Sequence, residues 1–139
     1  MYLRGVGFSE VEREVARARR FRQPLVLAFV DVDHLKNMND SHGHAAGDRM
    51  LLKVAKAFKT TLRSYDVIVR YGGDEFVCAV SGLGSAAMTK RLALVNAALA
   101  ESSEPGSVTA GLAELQPGDS VEDLVARADA ALYRERQHP

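Results

Sequence analysis

The residues of this chain best suited to chemistry are two pairs of carboxylates, each placed beside an apolar run. Asp31 and Asp33 follow directly on Leu25-Val26-Leu27-Ala28-Phe29-Val30. Asp74 and Glu75 follow the glycine pair of Arg70-Tyr71-Gly72-Gly73-Asp74-Glu75-Phe76. A strand that ends in acids at i and i+2 puts both carboxylates on one side of its sheet. Crowding two acids there is costly unless a cation compensates. Glycines remove side-chain bulk, so a ligand can approach the backbone at Gly72 and Gly73 while the acids behind them aim negative charge at it. A metal-bound phosphate fits both facts. A solvated acidic turn is the other reading of the glycine-acid stretch. If the two clusters are neighbours, they offer roughly three or four carboxylate oxygens to a hard divalent ion, with Mg2+ the natural candidate and Mn2+ its substitute. The chemistry implied is phosphoryl or nucleotidyl transfer.

The elements around these acids can be read from periodicity. Val67-Ile68-Val69 leads into the glycines and Phe76-Val77-Cys78-Ala79-Val80 leads out, which reads as a β-hairpin turning on glycines at positive φ. The unbroken apolar run 25–30 is expected of a central strand covered on both faces. Ser9-Glu10-Val11-Glu12 has capping-box spacing, and Val11, Val15 and Ala18 follow at helical intervals, predicting a helix over 9–20. Its arginines (Arg13, Arg17, Arg19, Arg20, with Arg22 beyond) read as a solvated face. Residues 34–40 carry Leu35 and Met38 at helical spacing, and 39–44 are turn-rich. Residues 45–62 form a strong amphipathic helix with Met50, Leu51, Val54, Phe58 and Leu62 on one face and Asp48 in its first turns, where an acid favours the dipole. His42 and His44 read as hydrogen-bonding histidines rather than metal ligands. A helix over 86–100, a strand over 107–113 weakened by Gly111, and a final helix capped by Ser120-Val121-Glu122-Asp123 and ending near Arg136 complete the chain. After the opening helix the order is β-α-α-β-β-α-β-α. That order predicts one α+β domain, a single sheet with a central hairpin and helices packed mainly on one face.

Composition narrows the classes of function. The formal net charge is +0, so no bulk attraction to nucleic acid or membrane surfaces is expected. The longest apolar run is far too short to span a bilayer, and acids and arginines interrupt the N-terminus too early for a signal peptide. Cys78 is the single cysteine. It excludes an internal disulfide, fits a reducing cytoplasm and, by its place in a strand, reads as a small core residue.

Taken together, the motifs resemble those of the GGDEF domain, the catalytic module of diguanylate cyclases. The resemblance rests on Asp31-x-Asp33-x-x-Lys36-x-x-Asn39-Asp40-x-x-Gly43-His44-x-x-Gly47-Asp48, on the stretch Arg70 to Phe76, and on Ala128-Asp129-x-Ala131-Leu132-Tyr133 near the C-terminus. It implies a fold like that of nucleotidyl cyclases and polymerase palms, a ferredoxin-like sheet with surrounding helices. The activity implied is the condensation of two GTP into cyclic di-GMP and two pyrophosphates. By the same resemblance, Asp31, the Val32 carbonyl, Asp74 and Glu75 would hold Mg2+. One of the two acids, Glu75 before Asp74, would help deprotonate the ribose 3′-hydroxyl. Asn39 and Asp48 would bond the guanine edge, supported by His44. Lys36 and backbone N–H groups near His34 and Leu35 would meet the phosphates, beside Gly72 and Gly73. Arg136 stands where the family carries a lysine, and Arg63-x-x-Asp66 matches its inhibitory product-binding motif. An exposed lysine and an ordinary helix-end ion pair are the plainer readings of Lys36 and of Arg63 with Asp66. The family's usual D-x-L-T-G-type opening is reduced here to Leu3-Arg4-Gly5, and its Gly-Arg-Asn after the last helix is missing.

The expectation is therefore a single catalytic domain over 1–139, part of a longer signalling protein. Its partners would be GTP, cyclic di-GMP and, during catalysis, a transient second copy, with no nucleic acid and no membrane contact from this segment. The competing expectation is a module that binds GTP or cyclic di-GMP and signals with little or no turnover. A purely structural domain leaves the acids at the strand ends without an explanation.

Overall fold

The structure, a computed structural model, describes residues 1–137, the side chain of Leu3 aside. Ten elements follow in order: β1 (Tyr2–Leu3), α1 (Arg4–Arg20), β2 (Leu25–Val32), α2 (Leu35–His42), α3 (His44–Thr61), β3 (Val67–Arg70), β4 (Glu75–Ser81), α4 (Ser85–Ala100), β5 (Val108–Glu114) and α5 (Val121–Gln137). They build the α+β domain with a central hairpin that the sequence predicts. The sheet order is β1-β3-β4-β2-β5. Strands β3, β4, β2 and β5 pair antiparallel, and the two-residue β1 adds in parallel to β3 at Val69 and Arg70.

Strand β2 lies inside the sheet, and alternation sorts its side chains between two cores. Val26, Ala28, Val30 and Val32 join Met50, Val54, Phe58, Phe76, Cys78 and Val95 under α2, α3 and α4. Leu25, Leu27 and Phe29 join Val11, Val15, Val69, Leu124 and Ala128 under α1 and α5. The helices thus cover both faces, which corrects the expectation of helices mainly on one. The continuous apolar run of β2 required this, because each of its faces needs an apolar cover. Cys78 is fully buried in the first core, and burial pushes its thiol well above the ordinary range.

Helix α1 begins at Arg4, five residues before the predicted cap at Ser9. Its buried stripe explains the difference. Gly7 is buried four residues before Val11, on the same face, and a Cβ there would run into the side chain of Val69 on β3. The helix lies so close to the sheet that its first contact residue is a glycine, invisible to an apolar pattern. The second predicted cap is present: Ser120 N–H donates to Asp123 Oδ2 at 3.0 Å and Asp123 N–H to Ser120 Oγ at 3.1 Å.

Glycine freedom is used at Gly43, whose φ of 85° separates α2 from α3. It is not used at the hairpin: neither Gly72 nor Gly73 has a positive φ. A Cβ at Gly72 would instead collide with the carboxylate of Glu75, whereas one at Gly73 would meet open space. Gly72 serves close approach rather than turn geometry.

Candidate active site

The register of β2 places the acids. Asp31 is paired directly with Glu75 on β4 and with Thr109 on β5, so all three side chains leave the sheet on the face covered by α1 and α5. Val32 N–H donates to the Asp74 carbonyl at 3.1 Å, which ties the end of β2 to the hairpin tip. The tip is held from within. Tyr71 N–H donates to the Glu75 carbonyl at 2.9 Å, and Arg70 Nη2 donates to the Gly73 carbonyl at 3.0 Å. Arg70 was legible only as part of the motif; its work here is to close the turn. Asp31, Val32, Asp74 and Glu75 therefore converge, as do Gly72 and Gly73.

Electrostatics at this point are unfavourable for unpaired carboxylates. Burial pushes the Asp31 carboxyl up to about 6, the charge of Asp74 adds to this, and Arg136 opposes it. Glu75 is raised by burial and by the charges of Asp74 and Asp129, against Arg4. Asp31 Oδ1 is buried and has no hydrogen-bond partner. Hard, crowded carboxylate oxygens with one left unpartnered are a donor set that suits Mg2+. Among the described residues no three acids, histidines or cysteines are gathered tightly enough to enclose an ion by themselves.

The C-terminal helix supplies a compensating charge to Asp31. Arg136 Nη2 lies 3.0 Å from Asp31 Oδ2 and 3.1 Å from Asp33 Oδ1. Asp33 also accepts from Ser107 Oγ and Thr109 Oγ1, each at 2.6 Å. The sequence offered the pair Asp31 and Asp33 but no sign of these two hydroxyls. They lie at the start of β5 and just before it, 74 and 76 residues away, and the β2–β5 register brings them in.

The remaining candidates line the neighbouring loops. His34 adopts the left-handed conformation, φ 57° and ψ 23°, and starts α2 without a side-chain cap. The first-turn N–H groups of a helix have no partner within it; Lys36 is exposed on this turn and the Leu35 side chain is turned into the core. Asn39 packs against the start of α3, where a Cβ on Gly47 would strike its Oδ1; that oxygen has no partner. Asp48 is exposed on the first turns of α3, and His44 is its first residue. Asp48 borders a hollow of about 350 Å³ with Leu51, Leu52, Ala55, Arg70 and Phe76.

Arg63 and Asp66 lie apart from this cluster, before β3. The Asp66 side chain is 0% exposed and accepts from Arg63 N–H at 2.8 Å, Nε at 3.3 Å and Nη2 at 3.2 Å. Arg63 also donates to the Ser81 carbonyl and stacks over Tyr65. A groove of about 430 Å³ opens beside them, reaching Glu14 and Lys59. No helix among the described residues is long and apolar enough to cross a membrane.

Comparison with known proteins points one way. A sequence model of the family described as "Diguanylate cyclase, GGDEF domain" matches residues 3–139. Diguanylate cyclase DgcP of Pseudomonas aeruginosa is 38% identical over 136 residues, covering 93% of this chain and 20% of the relative. The chain thus spans about a fifth of that relative's length. A truncated form of TpbB (YfiN) from P. aeruginosa, comprising only its GGDEF domain, superposes with a TM-score of 0.90 at 29% identity, over 100% of this chain and 86% of that one. The GGDEF domain of DgcB from Caulobacter crescentus, solved in complex with c-di-GMP, gives 0.87 at 28% identity, over 97% and 85%.

Proposed function

Because the chain belongs to the GGDEF-domain family of diguanylate cyclases, we propose that it condenses two GTP into cyclic di-GMP and two pyrophosphates. The observation that carries this reading is the pairing of Asp31 with Glu75 across β2 and β4, with Asp31 Oδ1 buried and unpartnered.

Each step forms a bond from a ribose 3′-oxygen to the α-phosphorus of the other nucleotide. The bond from that phosphorus to the oxygen bridging to the β-phosphate breaks, and pyrophosphate leaves. The proton of the 3′-hydroxyl passes to a carboxylate oxygen of Glu75, which the β2–β4 register sets beside Asp31. Asp74 is the alternative acceptor. Mg2+ would be held by Asp31, the Val32 carbonyl, Asp74 and Glu75, and would supply charge neutralisation at the phosphates. Lys36 and the free N–H groups at the start of α2 bind the phosphate tail, and Arg136 adds a second positive group. Asn39 and Asp48 read the guanine edge: an amide offers donor and acceptor, and a carboxylate accepts from the base's N–H groups. Gly72 and Gly73 leave the backbone open to the nucleotide.

One chain offers one such site, and the reaction consumes two nucleotides, so the reading includes a transient two-fold dimer. Arg63 with the groove beside it is the proposed site for cyclic di-GMP as an inhibitor, and the cytoplasm, where GTP is present, is the proposed location. Purified protein incubated with GTP and Mg2+ should yield cyclic di-GMP by chromatography and mass spectrometry. Tight binding of GTP without product would instead favour a binding module, a reading supported by the ion pair that Arg136 makes with Asp31.

A further inference from the structure

Asp33 is a partly buried acid at the site that the reaction above does not use. Its side chain is 15% exposed, and both its oxygens are engaged. Ser107 Oγ donates to Oδ2 at 2.6 Å. Thr109 Oγ1 donates to Oδ1 at 2.6 Å, and Arg136 Nη2 to the same oxygen at 3.1 Å. The Asp33 N–H donates to the Ser107 carbonyl at 3.0 Å, which fixes the backbone as well. Asp31, by contrast, keeps Oδ1 without a partner although it shares the same Arg136 nitrogen. The two acids are therefore unequal: one is saturated and held, the other is open to a ligand.

Arg136 sits on the last turn of α5, where a long side chain has many rotamers available. A fixed carboxylate within hydrogen-bond distance narrows them and lowers the ordering cost when the guanidinium meets a second anion. Two hydroxyls orient Asp33 but carry no charge, so Arg136 is its counter-ion. The contact of Asp33 with the guanidinium does not depend on Asp31.

We propose that Asp33, oriented by Ser107 and Thr109, is the positioning residue that holds Arg136 toward the triphosphate of bound GTP. This rests on the diguanylate cyclase reading. The test is a calorimetric cycle with α,β-methylene GTP, which cannot release pyrophosphate, and with GMP, which lacks the outer phosphates. Asp33→Asn is expected to weaken the triphosphate analogue about tenfold, as loss of a charge-assisted hydrogen bond would, and to leave GMP within about twofold. Arg136→Ala should do the same. The double variant should be no weaker than Arg136→Ala alone, because Asp33 acts through Arg136. Thr109→Val, which keeps both acids, should show the same selectivity at smaller amplitude, and it carries the test should Asp33→Asn not fold. Equal losses for both nucleotides, or losses that add in the double variant, overturn the positioning role while leaving the proposed activity standing. Failure of the wild-type protein to bind either nucleotide overturns both.

Discussion

Asp31 and Glu75 face each other as a directly opposed pair in the β2–β4 ladder. Burial and then the charge of Asp74 raise both carboxyls above their ordinary values, that of Asp31 to about 6, and Glu75 adds the smallest part of the rise at Asp31. The folded chain therefore binds a proton at Asp31 more tightly than the unfolded chain. This group's contribution to stability is full below the ordinary value of 3.8 and is lost as pH rises through about 6. Without divalent ions, the melting temperature of the wild type should fall relative to that of Asp31→Asn between about pH 4 and pH 7. Mg2+ at neutral pH should restore the wild type, not the variant, and turnover should be lost in Asp31→Asn. A melting difference that stays flat with pH would refute the assignment.

Gly47→Ala separates stability from recognition. Inside α3 the added methyl favours the helix by about 1 kcal/mol. The same methyl meets Asn39 Oδ1 and must displace it. Thermal stability should change little while affinity for GTP falls several-fold and preference over ATP narrows. Unchanged GTP and ATP titrations would remove Asn39 from the guanine site.

Arg63→Ala should have two effects at once. It should weaken inhibition by cyclic di-GMP, and it should cost about 2 kcal/mol of stability, because the buried Asp66 carboxylate loses a charged donor. Inhibition curves that superpose on those of the wild type, with the stability loss intact, would make the pair purely structural.

Catalysis by facing copies predicts specific activity that rises with protein concentration. A parallel leucine zipper fused ahead of the domain should raise it further by raising the effective concentration of partner sites. A rate strictly proportional to concentration, in a preparation monomeric by light scattering, would contradict a two-site reaction.

The parts of this design visible in the sequence are those written in local pattern. The apolar run 25–30, the helical stripe from Met50 to Phe58 and the capping spacing at Ser120 each report a neighbour one turn or one strand away. What escaped was long-range or concealed by small residues. Gly7 and Gly111 look like interruptions. In the structure they are the points of closest approach, Gly7 to Val69 and Gly111 to the backbone of α5 at Ala128 and Leu132. The partners of Asp33 come from β5 and α5, and no local spacing encodes that meeting. Gly111→Ala makes the point measurable: it should push α5 off the sheet, lower stability by roughly 1–3 kcal/mol and carry Arg136 out of reach of Asp33. A variant as stable as the wild type would show that the helix can shift without cost.

The bond from Arg136 to Asp33 spans 103 positions of the chain. During synthesis, Asp33 leaves the ribosome long before its counter-ion has been made. A nascent chain can form the β3–β4 hairpin and pair it with β2, yet the acids at the end of β2 stay mutually repelling until α5 emerges and docks. The order of translation thus leaves Asp33 without its charged partner until the last helix of the fold has been made.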